Sequence, residues 1–278
     1  MDKSVFCCPI CKKPLTDKAT SFCCEKGHSF DKSSQGYVHL LPSSKMKTKL
    51  PGDSKEMVDA RRRFLDSEHY APFKNALSDL LLNALSDLSS PVILDAGCGE
   101  GYYTDHIAKS FEKAGKNIGL FGIDISKNAV KSAAKRNRGI HLAVASCFDM
   151  PVCDNFADAL VSVFSPIAQA EFKRVVREGG YLIIAVAGER HLFGLKEVLY
   201  ERPYENEHKK TEYDGFRFVS RTPVRDTIHL DSRQQIADLF TMTPYYWKTP
   251  VDGAKRLSQL DTLDTEIGFD FLLYRREG

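Results

Sequence analysis

The chain has 278 residues, of which 42% are hydrophobic and 27% charged, and its formal net charge is +2. These ordinary globular values and this length predict one large domain with a small one, or two medium domains. Because no run reaches about 18 uncharged apolar residues and the N-terminus lacks the apolar run of a signal peptide, we expect no membrane partner and a cytoplasmic location.

The first unit of the chain, residues 1–41, is rich in cysteine. Five of the eight cysteines fall before residue 25. Where no export signal is present, a terminal cluster of this kind indicates a metal site before it indicates disulfides. A module of about 40 residues is also too small to fold by apolar burial alone, so a bound metal would supply the missing stability.

The spacing of these residues is C-x2-C-x12-C-x3-H, which offers three thiolates and one imidazole to a single ion. This is the closed tetrahedral set of a structural zinc site. The cysteines are doubled, however, and Cys7 or Cys23 could stand in for its neighbour. The short gap of the first pair favours the following set of zinc ligands: Cys8, Cys11, Cys24 and His28.

A basic linker, residues 42–56, follows the module. It contains Pro, Ser, Gly and four lysines with few apolar anchors. Up to Arg63 the chain carries 13 Lys and Arg against 7 Asp and Glu, whereas the rest of the chain is mildly acidic. This asymmetry indicates a polyanionic partner, and an exposed lysine-rich linker would explain it equally well.

The remaining segment, residues 57–278, shows the pattern of an α/β domain. Leucines recur at three- and four-residue spacings up to Leu88, as the buried face of a helix requires. Short apolar runs then alternate with helical segments such as 127–138 and 168–178, which predicts a parallel sheet with helices on both faces. The predicted strands are 92–94, 120–123, 142–145, 159–163 and 181–186, with 227–230 and 268–274 as additions to the sheet.

The first of these strands leads into a glycine-rich loop with the pattern D-x-G-x-G-x-G. A dinucleotide site would show G-x-G-x-x-G instead. Asp95 would repel a pyrophosphate at the strand end, but it could face the ammonium group of S-adenosylmethionine, and Asp124 after the next strand could hold the ribose hydroxyls. We therefore predict a class I, Rossmann-like methyltransferase sheet. The predicted cofactor residues of the loop are Asp95, Gly97, Gly99, Glu100, Gly101 and Tyr102.

Two further segments lie where such enzymes contact the adenine and the target base. Ser146 and Asp149 follow the third strand, and either could meet the adenine amino group, although Asp149 could equally cap a turn. Residues 164–166, Phe-Ser-Pro, follow the fourth strand and could stack on a base; the alternative is a turn with a core phenylalanine. No general base stands out among Asp149, Glu189 and His191.

Motifs along nearly the whole chain carry a family resemblance. They lie at residues 8–11, 24–28, 36–38, 40–42, 51–54, 60–62, 64–65, 69–70, 95–103, 190–192 and 242–244. On these residues the chain resembles the bacterial 23S rRNA guanine-N1 methyltransferases of the RlmA type. The resemblance implies the same four zinc ligands and adds Tyr70 and His191 to the residues that hold S-adenosylmethionine.

The resemblance also implies a substrate and an assembly. The substrate would be a hairpin of 23S rRNA, bound by a homodimer whose zinc modules flank a basic cleft. Residues 60–62 and 68–70 favour the branch that acts on guanine 745 over the branch that acts on guanine 748. The alternatives are a methyltransferase for another RNA or a small molecule, and a non-catalytic, zinc-dependent RNA-binding assembly factor.

Overall fold

The N-terminal module is built on a small antiparallel sheet in the computed structural model, which describes residues 6–46, 48, 51–136, 139–207 and 212–278. Its strands are β1 (Leu15–Asp17), β2 (Ser21–Cys24) and β3 (Ser29–Asp31). The chain then passes through β4 (Val38–His39), which leaves this small sheet and joins the edge of the large one. The module is thereby connected to the rest of the protein through backbone pairing.

The large sheet has eight strands among the described residues, in the order β10-β11-β9-β8-β5-β6-β7-β4. The pairs from β4 to β9 are parallel, and β11 pairs antiparallel with both β9 and β10. The strands after β4 are β5 (Val92–Ala96), β6 (Gly119–Asp124), β7 (His141–Val144), β8 (Ala157–Val163), β9 (Val176–Ala187), β10 (Phe216–Leu230) and β11 (Leu263–Arg276). All seven predicted strands are present, and the methyltransferase-type parallel sheet is confirmed.

Nine α-helices lie in the part of the chain that the structure describes. They are α1 (Lys55–Asp66), α2 (Ala71–Ala84), α3 (Tyr102–Lys113), α4 (Lys127–Arg136), α5 (Gln169–Val175), α6 (Phe193–Leu199), α7 (Arg233–Thr241), α8 (Tyr245–Lys248) and α9 (Val251–Ser258). None of these helices has the length and apolar character needed to cross a membrane. The last two residues of the predicted helix 127–138 lie outside the described residues, and the predicted helix 168–178 ends earlier because β9 begins at Val176.

Two layers cover the large sheet, and successive residues of a strand point into different layers. In β5, Ile93 packs into a core formed with helices such as α2, α3 and α6. Leu94 packs into the other core, which contains Phe6, Leu15 and Phe22 of the N-terminal module together with α5. The module therefore covers one face of the sheet, where a doubly wound fold would otherwise place helices.

The connection between module and sheet contains a short helix and the start of α1. Of the predicted linker 42–56, Ser43–Lys45 form a short 3-10 helix, and α1 begins at Lys55 with the Ser54 hydroxyl accepting a hydrogen bond from the Met57 backbone N–H. Residues 47, 49 and 50 lie outside the described residues. The helical pattern before Leu88 divides into α1 and α2 because Glu68 between them has a φ of 64°, in the left-handed region.

Candidate functional site

The loop between β5 and α3 holds three glycines with positive φ: 92° at Gly97, 55° at Gly99 and 87° at Gly101. A Cβ atom at Gly97 would lie 2.3 Å from Cβ of Ser165, so this glycine permits close packing. At Gly99, no described atom other than those of the glycine and its two chain neighbours lies within 4 Å of the corresponding position. The loop therefore leaves space beside Gly99 in which a ligand can approach the backbone.

Asp95 ends β5 at the entrance to this loop, and its side chain is buried. The Thr104 hydroxyl donates to Oδ2 at 2.6 Å, whereas Oδ1 is buried with no hydrogen-bond partner in the described part of the chain. Burial raises the pKa of Asp95 from 3.8 to about 7. A buried carboxylate oxygen without a partner is costly, and the ammonium group of a ligand such as S-adenosylmethionine would satisfy it.

Asp124 joins this loop to the next one. Its Oδ2 accepts a hydrogen bond from the Gly99 backbone N–H at 3.0 Å, and its Oδ1 accepts one from the Ser126 backbone N–H at 2.7 Å. Burial raises its pKa, and these two backbone donors oppose that rise. Each carboxylate oxygen can accept more than one hydrogen bond, so the two hydroxyls of a ribose can still donate to Asp124.

Glu100 and Tyr102, two predicted cofactor residues, face the helical layer. Arg136 of α4 donates through Nε to the Glu100 carboxylate at 2.5 Å, and Glu100 is almost fully buried in this ion pair. Tyr102 packs in the helical core, with Lys74 Nζ 4.8 Å from its ring centroid. Within the described residues these two side chains fix the loop to α2 and α4.

Tyr70 and His191, predicted from the resemblance, do come together. Their ring centroids lie 6.2 Å apart, and both rings pack on Phe269 of β11, at 5.2 and 5.0 Å. The Gly268 backbone N–H donates to Nδ1 of His191 at 3.2 Å, so the proton of the neutral ring is on Nε2. Burial lowers the pKa of His191 to about 3. In this arrangement His191 is a neutral ring that can donate a hydrogen bond at Nε2.

Phe164 lies beside this aromatic group. Its ring is nearly parallel to that of His191, at 5.9 Å, and edge-on to Phe269 at 4.5 Å. The residue is 51% exposed and has a φ of 52°, so the alternative of a core phenylalanine is wrong. The neighbouring Ser165 hydroxyl donates to the Ala96 backbone carbonyl. The segment predicted to meet the target base thus contacts the strand end that leads into the cofactor loop.

Ser146 and Asp149 lie on one turn after β7. The Ser146 hydroxyl accepts a hydrogen bond from the Phe148 backbone N–H at 3.2 Å, and the Ala145 N–H donates to the Asp124 backbone carbonyl at 2.9 Å. Asp149 instead forms ion pairs with Lys12, at 2.6 Å, and with Lys45. Of the two candidates for the adenine contact, Asp149 has its side chain held by ion pairs, whereas Ser146 does not.

The four predicted zinc ligands form a tight cluster in the N-terminal module, with their ligand atoms all within 4.8 Å of one another. Nδ1 of His28 lies 3.5 Å from Cys8 Sγ and 3.3 Å from Cys24 Sγ, and Cys11 Sγ lies 3.6 Å from Cys24 Sγ. The Lys13 backbone N–H lowers the pKa of the Cys11 thiol. Three thiols and one imidazole at this spacing match the donor set of a structural zinc site.

The two alternative cysteines point elsewhere. Cys7 forms a disulfide with Cys153, which connects the module to the segment after β7. Cys23 lies with its Sγ 3.5 Å from the Ser21 hydroxyl and 3.3 Å from the Ser29 hydroxyl. The alternation of side chains along β2 explains this difference, because Cys23 and Cys24 face opposite sides of the strand.

Several residues of the site have no signal in the sequence. Phe269 supports Tyr70, His191 and Phe164, and Gly268 fixes the His191 ring, yet both belong to a strand near the C-terminus. Thr104 binds Asp95 from the first turn of α3. A glycine within a predicted strand was the one hint, because it can mark a close approach of another group.

Comparison with known proteins matches two families of domains. Residues 6–49 match the family described as the N-terminal region of RlmA, a zinc ribbon, and residues 93–180 match a methyltransferase domain. The first range contains all four residues of the cysteine and histidine cluster, and the second contains the glycine-rich loop. Together these matches support a methyltransferase that uses S-adenosylmethionine and carries a structural zinc ion.

Two curated proteins are similar over almost their whole length. The protein YxjB of Bacillus subtilis (strain 168), which is named after the 23S rRNA (guanine-N1)-methyltransferases, is 32% identical over 98% of this chain and 98% of its own. The 23S rRNA (guanine(748)-N(1))-methyltransferase of Streptomyces fradiae is 33% identical over 91% of this chain and 90% of its own. The similarity therefore includes the zinc module, the cofactor loop and the C-terminal strands.

Proposed function

The chain belongs to the family of 23S rRNA (guanine-N1)-methyltransferases, and from this premise we propose that it methylates N1 of a guanine in a hairpin loop of 23S rRNA. The observation that carries the proposal is a buried Asp95 oxygen that has no hydrogen-bond partner among the described residues, together with the open space beside Gly99. That arrangement suits a cofactor with a cationic amino-acid end and no phosphates. When bound, S-adenosylmethionine supplies an electrophilic methyl group.

We assign the cofactor contacts from the hydrogen-bonding capacity that each side chain retains. Asp95 accepts from the ammonium group, Asp124 accepts from the ribose, and Ser146 faces the adenine. The backbone of residues 97–101 forms the wall of the site. Glu100 and Tyr102 hold this loop in place from the helical side, while Tyr70 and His191 close the site near Phe269.

The target guanine is proposed to lie against Phe164. Phe164 is half-exposed, and its backbone lies in the left-handed region, which is unusual for a residue other than glycine. Its ring lies next to the cofactor loop, where a flipped base could stack on it. Hairpin loops expose the Watson–Crick edge that carries N1. The protein then contributes mainly by aligning the guanine with the methyl group and excluding water. The neutral His191 can donate a hydrogen bond through Nε2 but cannot accept the N1 proton there.

The zinc module is proposed to hold its metal with Cys8, Cys11, Cys24 and His28 and to contribute to RNA binding. Lysines and arginines outnumber acidic residues in this part of the chain, as phosphate contacts require. We further propose a homodimer that acts in the cytoplasm, where its rRNA substrate is found. Residues 60–62 and 68–70 favour guanine 745, whereas the Streptomyces fradiae relative acts on guanine 748.

The test uses methyl-labelled S-adenosylmethionine with three acceptors: unmodified 23S rRNA, unmodified tRNA, and a 23S transcript in which the hairpin guanines are replaced by adenines. The proposal predicts label in the first acceptor and none above background in the other two. Label in tRNA alone, or equal label in the substituted transcript, would contradict the proposed substrate. A Gly99→Ala variant serves as the control for cofactor-dependent transfer.

A further inference from the structure

The N-terminal module contacts the chain both before and after the turn that carries the proposed adenine contact. Before the 146–149 turn, β4 pairs in parallel with β7, and the Leu40 N–H donates to the Val144 carbonyl at 2.9 Å. After the turn, the Cys7 N–H donates to the Pro151 carbonyl at 2.9 Å, and Phe6 pairs with Val152. The turn is therefore suspended between two backbone attachments to the module.

One lysine of the module, Lys12, and one of the linker, Lys45, bind the turn itself. Lys12 follows the zinc ligand Cys11 directly, and its backbone N–H donates to the Cys8 carbonyl at 2.8 Å, so the metal-binding turn fixes its position. Lys45 ends the short 3-10 helix after the module. Both ammonium groups reach Asp149, whose side chain is only 29% exposed. One carboxylate on the turn thus connects it to two separate parts of the N-terminal region.

We propose that Lys12, Lys45 and Asp149 are positioning residues for S-adenosylmethionine, through which the zinc module holds the 146–149 turn against the adenine. This inference rests on the proposed function only for the position of the adenine beside Ser146. It assigns the module a second role besides RNA binding, because cofactor affinity then depends on a domain that does not itself contact the cofactor.

The sign of the effect separates this role from simple electrostatics. S-adenosylmethionine carries a sulfonium, an ammonium and one carboxylate, and hence a net positive charge at neutral pH. Removing two nearby lysines would strengthen its binding if the lysines acted only by repulsion. If they act by fixing Asp149, the same change weakens binding, because the turn becomes free to adopt other conformations.

The experiment measures the dissociation constant of S-adenosylmethionine by calorimetry for the zinc-loaded full chain. The test variant is Lys12→Ala with Lys45→Ala, and the matched control is Lys55→Ala with Lys173→Ala, which removes two exposed lysines that pair with Asp59 and Asp214. Because each exposed ion pair contributes up to a factor of about five, we expect binding to weaken about three- to tenfold in the test variant and to change less than about twofold in the control.

A double-mutant cycle then asks whether the lysines act through Asp149. Asp149→Asn, which lies outside the module, should weaken binding to a similar degree, and adding the two lysine changes to it should cause no further loss. Zinc content, measured by mass spectrometry, should stay at one ion per chain in every variant. Should the lysine variant lose zinc, the Asp149→Asn variant alone decides the question.

The inference is overturned if the lysine variant binds the cofactor as tightly as the wild type or more tightly, or if Asp149→Asn leaves affinity unchanged. If these variants bind the cofactor as tightly as the wild type does, the proposed methyltransferase function still stands. Absence of cofactor binding to the wild-type chain would instead contradict the proposed function, and the inference with it.

Discussion

Two neighbouring glycines of the cofactor loop should respond differently to the same small change. Gly97 and Gly99 both have positive φ, but a methyl group at Gly97 would meet Ser165, whereas one at Gly99 would enter the open space of the site. We therefore expect Gly97→Ala to destabilise the fold. Gly99→Ala should preserve the fold and impair cofactor binding.

The magnitudes follow from two separate costs. An alanine in the left-handed region costs roughly 1–2 kcal/mol, and this applies to both positions. At Gly97 the Cβ would lie 2.3 Å from Ser165 Cβ, and such overpacking adds about 1–3 kcal/mol. For a chain of this size, 1 kcal/mol lowers the melting temperature by roughly 2–4 °C. Gly97→Ala should then lower it by about 4–20 °C, and Gly99→Ala by about 2–8 °C.

Circular dichroism melts and calorimetric titration with S-adenosylmethionine test both halves of this expectation. The Gly99→Ala protein should bind the cofactor roughly 5- to 160-fold more weakly, since an overlap of about 1–3 kcal/mol falls on the bound ligand. A Gly99→Ala protein with wild-type affinity would refute the location of the cofactor beside this residue. A Gly97→Ala protein with an unchanged melting temperature would refute the packing argument.

Four further outcomes are expected. Cys24→Ser should lose zinc and Cys23→Ser should keep it, as measured by metal analysis; equal zinc in both would contradict the ligand set. Because the pKa of Asp95 is raised from 3.8 to about 7, its protonated form adds stability that is complete below about pH 4 and is lost as the pH rises through 7. Melts across this range should show the loss in the wild type and lack it in Asp95→Asn. Phe164→Leu should raise the KM for rRNA severalfold while leaving cofactor affinity within about twofold, and the reverse pattern would place Phe164 in the cofactor site. Glu100→Gln should lower the melting temperature through its ion pair without weakening cofactor binding more than about twofold, as titration would reveal.

The sequence was most informative where chemistry demands particular residues at fixed spacing. The glycine-rich loop could be predicted because positive φ and close backbone approach leave few residue types available. The zinc cluster could be predicted because a tetrahedral ion constrains four ligands locally. In both cases the interacting residues lie close together in the sequence, so their spacing indicates the geometry of the site.

Long-range packing was not accessible in the same way. Nothing around Tyr70 or His191 in the chain indicates that Phe269 brings them together, because that contact depends on an antiparallel strand near the C-terminus. Glu100 and Tyr102 have the right position in the motif, yet the conformation of the loop turns them towards the helices. A linear pattern does not specify which way a loop side chain points.

The relation of the N-terminal module to the sheet was also unpredictable. The linker composition does not indicate how the module contacts the enzyme domain, whereas Phe6, Leu15 and Phe22 pack on the sheet as a structural layer. Some of the basic residues expected to face RNA are engaged in ion pairs within the chain, as the pairing of Lys12 with Asp149 shows. Charge counts do not distinguish a lysine that is paired within the chain from one that is available to RNA.

The most direct test of the proposed activity is to identify the methylated nucleoside and its position. Unmodified 23S rRNA would be treated with the protein and S-adenosylmethionine, digested, and examined by mass spectrometry, with primer extension to locate the modification, since a methyl group at N1 blocks base pairing. We expect 1-methylguanosine at a single guanine of one hairpin loop, at 745 or 748. A methyl group on another atom, or on several unrelated nucleotides, would contradict it.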